Sequence, residues 1–265
     1  MTFLQKTILC SALFFSQILL ADSTSYQDPS VQNPKPHHKK SHFHAIVASG
    51  YAWSMDANIR NIDYSQWASS LEGYDASLGN SAFIMLGFGY RLFNMLDIDF
   101  DYTLYDTFYY QKNQVDDFGD RRTRSFDLNH QSSIFNFTFS PWTFGFYKTK
   151  FTPFIGMGIG VGTNQVSHFQ TIFCDPTQGI GLATSIGSPH TRNSFAWQGM
   201  GGIRVHPCNS RLSLDLAYRY YNGGTFETPS RLVNYNGINF GEEKVKPWHG
   251  TLQTNQLYFA MNFSI

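Results

Sequence analysis

From His44 onward, apolar and polar residues alternate with a period of two. That is the repeat of a strand whose two faces meet different media. The clearest run is Leu96 to Tyr110, where Leu96, Ile98, Phe100, Tyr102 and Leu104 share one face while Asp97, Asp99, Asp101, Thr103 and Tyr105 share the other. Leu212, Leu214, Leu216, Tyr218 and Tyr220 separate in the same way from Ser213, Asp215, Ala217, Arg219 and Tyr221. A helix would smear these sets around its circumference, so both segments are predicted strands.

Six further strands complete the pattern. Ala45–Trp53 is the first, and Ala82, Ile84, Leu86, Phe88 and Tyr90 give one face of the second. Phe135, Phe137 and Phe139 end the fourth. Phe126 and Leu128 begin it with the opposite parity, which predicts a bulge or register change between the two groups. The fifth sets Ile155, Met157, Ile159 and Val161 against Gly156, Gly158, Gly160 and Gly162. This glycine run is no dinucleotide fingerprint, because the strand period persists through it where a helix would have to open. Small residues on one face instead make room for bulky neighbours. Phe195, Trp197, Ile203 and Val205 mark the sixth strand, and the last runs from about Gln253 to Ile265.

The joins alternate in length. Residues 56–80, 111–125, 165–193 and 222–249 are long and polar, whereas those near Phe93-Asn94 and Pro207–Ser210 are tight; Ser140–Lys150 is intermediate. An even strand count, short turns on one side and long joins on the other are the pattern of an outer-membrane barrel. The fold expected for residues 43–265 is therefore an all-β, eight-stranded antiparallel up-and-down transmembrane β-barrel. Hydrocarbon tolerates no unpaired backbone groups, so a sheet crosses it only by closing on itself. A soluble periplasmic barrel would show the same alternation; long joins on one side only, and a closing apolar-aromatic strand, favour the membrane form.

Composition agrees with such an interleaving. The 265 residues include 25 Phe, 15 Tyr and 5 Trp, yet only 14% are charged, the formal net charge is zero, and mean hydropathy is slightly negative. A neutral chain is no charge-driven nucleic-acid binder. At the N-terminus, Lys6, the apolar stretch Ile8–Leu20 and Ala21 read as a signal peptide over residues 1–21. Residues 22–42, with Pro29, Pro34, Pro36 and His37-His38-Lys39-Lys40, read as a flexible periplasmic leader. Its histidines, with His44, set no ligand geometry, and no metal or cofactor is expected. Cys174 and Cys208 would face oxidising surroundings, but the topology puts them at opposite ends of the barrel, so no bridge between them is expected.

Four stretches carry a resemblance: Thr152–Gly162, Phe195–Gly202, Leu214–Tyr220 and Leu257–Ile265. The chain resembles the small eight-stranded outer-membrane β-barrels related to the opacity proteins and the OmpA transmembrane domain. That resemblance implies an integral outer-membrane protein acting as a surface antigen, adhesin or envelope-stabilising barrel. It also implies recognition of the C-terminal strand by the outer-membrane assembly machinery, although Ile265 stands where the family usually ends in Phe. Outer-membrane lipid and lipopolysaccharide, and a host surface factor, are the implied partners; nucleic acid is not.

An eight-stranded barrel is just wide enough for its own side chains. Asp97, Asp99, Asp101, Arg204, Asp215 and Arg219 are therefore expected to form an internal polar network, not a diffusion channel, since buried charges must pair. Two alternatives are a narrow pore and a barrel enzyme. His130 and Ser132 form an i, i+2 pair similar to the His-x-Ser of lipid A deacylase barrels. Their shared parity with Phe126 and Leu128 would aim them at lipid, but no acidic partner lies nearby to orient the histidine. Arg121, Arg122 and Arg124 form a basic cluster in the second long join, suited to lipopolysaccharide phosphates. The aromatics of the long joins, Trp248 among them, are candidate recognition anchors or packing residues. The expected role is non-enzymatic.

Overall fold

A computed structural model describes residues 42–61, 78–93, 95–115, 121–146, 149–174, 183–185, 189–207, 210–229, 231–235, 244–245 and 247–265. Eight strands form the wall: β1 (Phe43–Ser54), β2 (Asn80–Phe93), β3 (Leu96–Tyr105), β4 (Arg121–Phe139), β5 (Thr149–Cys174), β6 (His190–Pro207), β7 (Leu212–Glu227) and β8 (Trp248–Ser264). Each pairs antiparallel with its neighbours in the chain. The β1–β8 ladder, from His44↔Ser264 to Ser54↔Thr254, closes the sheet. The result is an eight-stranded antiparallel barrel, as the alternation predicts.

The outward face carries an apolar belt. On β5 it runs from Phe151 through Ile155, Met157 and Ile159 to Val161, and at Thr163 the face turns polar. Ten residue steps at about 3.3 Å, tilted by about 40°, give a belt roughly 25 Å tall, the hydrocarbon height that barrels span. The neighbouring strands end their belts at matching heights, with Val161 opposite Phe195 and Ser133. Trp197 lies 5.2 Å from Tyr220 and Tyr51 5.2 Å from Trp53 near this upper edge, as interfacial aromatics do. Trp142, Phe144 and Phe146 stand exposed at the short-turn end.

Above the belt the polarity reverses. Phe126, Leu128, Phe169, Phe226, Trp248 and Leu252 point inward and are buried, forming a core of the kind found in soluble proteins. Phe126 stacks between Tyr110 and Phe169, with ring centroids at 4.7 and 5.7 Å. Outward positions at this height are polar, among them Gln131, Asn129 and Asp127.

This reversal corrects the expected bulge in β4. Phe126 and Leu128 lie on the same inward face as Ile134, Asn136 and Thr138, with no slip between them and Phe135. The parity of the apolar residues changes because the medium outside changes from water to lipid. The one irregularity of the β4–β5 ladder falls at Phe126 itself, between Ser125 and Asp127, where the extra residue is on β5 and His168 adopts φ 51°, so the parity of β4 is unchanged.

The long joins also hold more strand than expected. Phe108–Val115 continues the course of β3 after a break at Asp106-Thr107 and pairs with Arg121–Leu128. The backbone of Arg121, Arg122 and Arg124 thus belongs to β4 and not to a loop, paired also with Cys174, Phe173 and Thr171. Trp248, the first residue of β8, is buried in the apolar core, the packing role and not the anchoring one of the two open to it. Cys174 ends β5 on the long-join side; Cys208, and the proposed signal and leader up to residue 41, lie outside the described residues.

Candidate functional site: the barrel interior

Inward side chains of the belt region are polar, and they meet in layers. At the short-turn end, Arg204 donates from Nε and Nη2 to the two carboxylate oxygens of Asp215, each at 2.9 Å, and from Nη1 to Asp97 at 2.7 Å. Arg91 donates to the same Asp97 from Nε at 2.7 Å and from Nη2 at 3.1 Å. Planar bidentate guanidinium–carboxylate pairing is the arrangement in which a buried charge keeps its partners. The next layer joins His44 to Asp99 at 2.8 Å. Gly89 makes that layer possible, since a Cβ there would meet both the His44 ring and the Asp99 carboxylate.

Higher still, Asn136 donates to Asp101 and accepts from Gln198 at 2.6 Å, and Gln198 accepts from Arg219 at 3.1 Å. Arg219 is 1% exposed, and it donates to neutral groups: Gln256, Gln198, Tyr105 and the Met85 sulfur. Its guanidinium lies 5.0 Å from the centroid of Phe83, 5.4 Å from Tyr258 and 5.6 Å from Tyr221. Ring quadrupoles thus supply part of the counter-field that a carboxylate would otherwise give. The glycine face of β5 serves these layers: a Cβ at Gly158 would strike Asn136, and one at Gly162 would press on His130.

Of the six residues expected to form one network, Asp97, Arg204 and Asp215 are in direct contact, Asp101 reaches Arg219 only through Asn136 and Gln198, and Asp99 pairs with His44. The sequence reading left out His44, Arg91, Asn136, Gln198 and Gln256. Their inward parity was the available signal, because a neutral amide on the polar face of a lipid-bounded strand has only the lumen to go to.

His130 and Ser132 face the lumen and are buried, which corrects the outward direction inferred from parity with Phe126 and Leu128. Those two residues point inward as well. His130 Nδ1 meets Asn164 Oδ1 and Nε2 meets Tyr221 Oη, both at 2.7 Å. Ser132 Oγ makes no hydrogen bond to His130, whose two ring nitrogens are taken by Asn164 and Tyr221. Among the described residues no carboxylate is in hydrogen-bond contact with the ring, so the geometry of a serine nucleophile with an oriented base is not assembled.

A closed antiparallel sheet with an apolar outside and a polar, filled inside is the inverse of a soluble barrel. With the lipid belt described above, that is the architecture of an eight-stranded membrane-spanning β-barrel. No protein-family model and no curated protein sequence matches the chain. Solved structures do match. The neisserial surface protein A is 15% identical with a TM-score of 0.42, covering 86% of this chain and 99% of that one. The outer membrane protein OprG of Pseudomonas aeruginosa is 14% identical, TM-score 0.49, with 85% and 98% covered. The attachment invasion locus protein Ail of Yersinia pestis is 12% identical, TM-score 0.32, with 83% and 99% covered.

Proposed function

We propose that this chain is an integral protein of a bacterial outer membrane that acts at the cell surface, without enzymatic activity, in adhesion to a host factor or in holding the envelope together. The observation that carries this reading is the filled lumen. Ion pairs close the short-turn end, Arg219 and its rings occupy the middle, and a packed aromatic core closes the long-join end. Interior and lipid belt thereby have structural work, and the water-facing half above the belt is what remains to meet partners. Short turns face the periplasm in such barrels, so that half is extracellular.

The basic backbone segment Arg121–Arg124 then stands above the outer leaflet, where lipopolysaccharide phosphates are the nearest anions. The closing strand β8, with Leu257, Phe259, Met261 and Phe263 on its outer face, is the segment offered to the assembly machinery.

Cysteine labelling on intact cells tests the orientation. In a Cys174→Ser, Cys208→Ser background, a membrane-impermeant maleimide should modify Gln165→Cys at once and Trp142→Cys only after permeabilisation; the reverse order refutes the reading. Lipid A should have the same acyl pattern in cells with and without the protein. An acyl change that Ser132→Ala abolishes would establish an enzyme instead. Planar bilayers containing the protein should stay electrically silent.

A further inference from the structure

The charge of this neutral chain is unevenly placed. The three short turns, residues 91–95, 140–150 and 206–211, contain Arg91, Lys148, Lys150, His206 and Arg211 and no aspartate or glutamate. Each of the four long joins mixes the signs; Asp116, Asp117 and Asp120, for instance, precede Arg121, Arg122 and Arg124. Inside the short-turn end of the lumen, Asp97 and Asp215 are taken up by Arg91 and Arg204. Lys150 and Arg211 are exposed, and among the described residues neither belongs to an ion pair. This end therefore carries cations that no described carboxylate neutralises.

Their height says what they meet. Lys150 directly precedes Phe151, where the apolar belt of β5 begins, and it pairs across the ladders with Gly145 and His206. Arg211 directly precedes Leu212, which pairs with the lipid-facing Phe263. One residue step along a strand is about 3.3 Å, and the headgroup layer flanking the hydrocarbon is roughly 5–7 Å deep on each side. Both charges thus lie at headgroup height. The short strand Phe144–Phe146 pairs with Thr149–Phe151, and it exposes Phe144 and Phe146, with Trp142 exposed just before it. Aromatic side chains therefore carry the apolar surface down to the level of the cations.

We propose that the short-turn rim is a binding surface for anionic glycerophospholipids of the adjoining leaflet, with Lys150 and Arg211 meeting their phosphates and Trp142, Phe144 and Phe146 seated beside their acyl chains. The name of that leaflet, the periplasmic one, rests on the orientation given above; the chemistry follows from the rim itself. A Lys or Arg close to an anionic lipid surface is worth about fivefold in binding, and the effect fades within a Debye length. Turns this short keep the cations inside that range. An acidic polymer lying in the periplasm would have to reach past the lipid headgroups to meet the same charges.

The test is electron spin resonance of the mature chain refolded into phosphatidylcholine vesicles doped with spin-labelled lipid. Spin-labelled phosphatidylglycerol should associate with the protein about twofold or more over spin-labelled phosphatidylcholine, the rim sites being averaged with the rest of the perimeter. Lys150→Gln with Arg211→Gln should remove most of that preference, whereas Arg121→Gln with Arg122→Gln and Arg124→Gln should leave most of it. Heat-modifiable gel migration reports whether each variant is folded; should the double variant fail to fold, each single one is expected to remove part of the preference. Equal association of the two lipids overturns the proposal. So does a preference that survives loss of Lys150 and Arg211 and disappears with the three arginines, which would put the anion site at the long-join end. Both leaflets of these vesicles carry the probe, so a reversed orientation found by cysteine labelling on cells would leave this result standing. Co-sedimentation with isolated cell-wall sacculi that requires Lys150 and Arg211, with no lipid preference, would overturn the proposal in favour of an acidic periplasmic polymer.

Discussion

Replacing Arg204 with leucine removes the residue through which two buried carboxylates share a cation. Asp215 would lose both hydrogen bonds from that guanidinium, while Asp97 would keep its pair from Arg91. The two aspartates are therefore not equivalent, and Asp215 takes the larger penalty. Breaking a buried ion pair by removing one partner costs about 3–5 kcal/mol. Three charge-assisted hydrogen bonds at roughly 1.5–3 kcal/mol each would suggest more, but those figures overlap with the desolvation already counted.

The companion variant is Arg204→Leu with Asp215→Leu. Removing both members leaves only Asp97, which Arg91 still pairs, so most of the loss should return; well-packed apolar replacements of buried pairs are often within a few kcal/mol of neutral. Equilibrium urea unfolding in vesicles, followed by tryptophan fluorescence and gel migration, gives both numbers. A single variant within about 1 kcal/mol of wild type would refute the buried-pair account, because surface-like pairs are worth only that much. So would a double variant less stable than the single one.

Three further outcomes follow from the same structure. Met157→Arg, in the middle of the lipid belt, should destabilise by about 2–4 kcal/mol in vesicles, whereas Gln165→Arg above the belt should cost roughly 0–1; equal costs would misplace the belt. Phe126→Ala, inside the water-facing half, should cost about 3–5 kcal/mol, as core aromatics do. Phe135→Ala on the lipid face should cost clearly less in the same titration, because it opens no cavity. Gly158→Ala should lose about 1–3 kcal/mol by displacing Asn136, while Gly199→Ala, whose Cβ would meet nothing within 4 Å, should stay near wild type; comparable losses would remove the packing explanation of the β5 glycines.

The sequence by itself determined the membrane-embedded half. A strand with lipid on one side and a narrow lumen on the other must keep strict period-two alternation, so Ile98, Phe100, Leu214 and Leu216 could be assigned outward and Asp97, Asp99 and Arg219 inward from the chain alone. The glycines of β5 could be separated from a phosphate loop for the same reason. Tertiary structure decided the rest. Phe126 and Leu128 were misplaced because periodicity shows that two faces differ, not which face is inside, and that depends on whether lipid or water lies beyond the wall at each height. His130 and Ser132 were carried outward by the same error. Which charges meet was equally hidden. Arg204 touches Asp97 and Asp215 while Arg219 rests on rings and amides because the tilt and stagger of the closed sheet set the heights at which distant residues share the lumen.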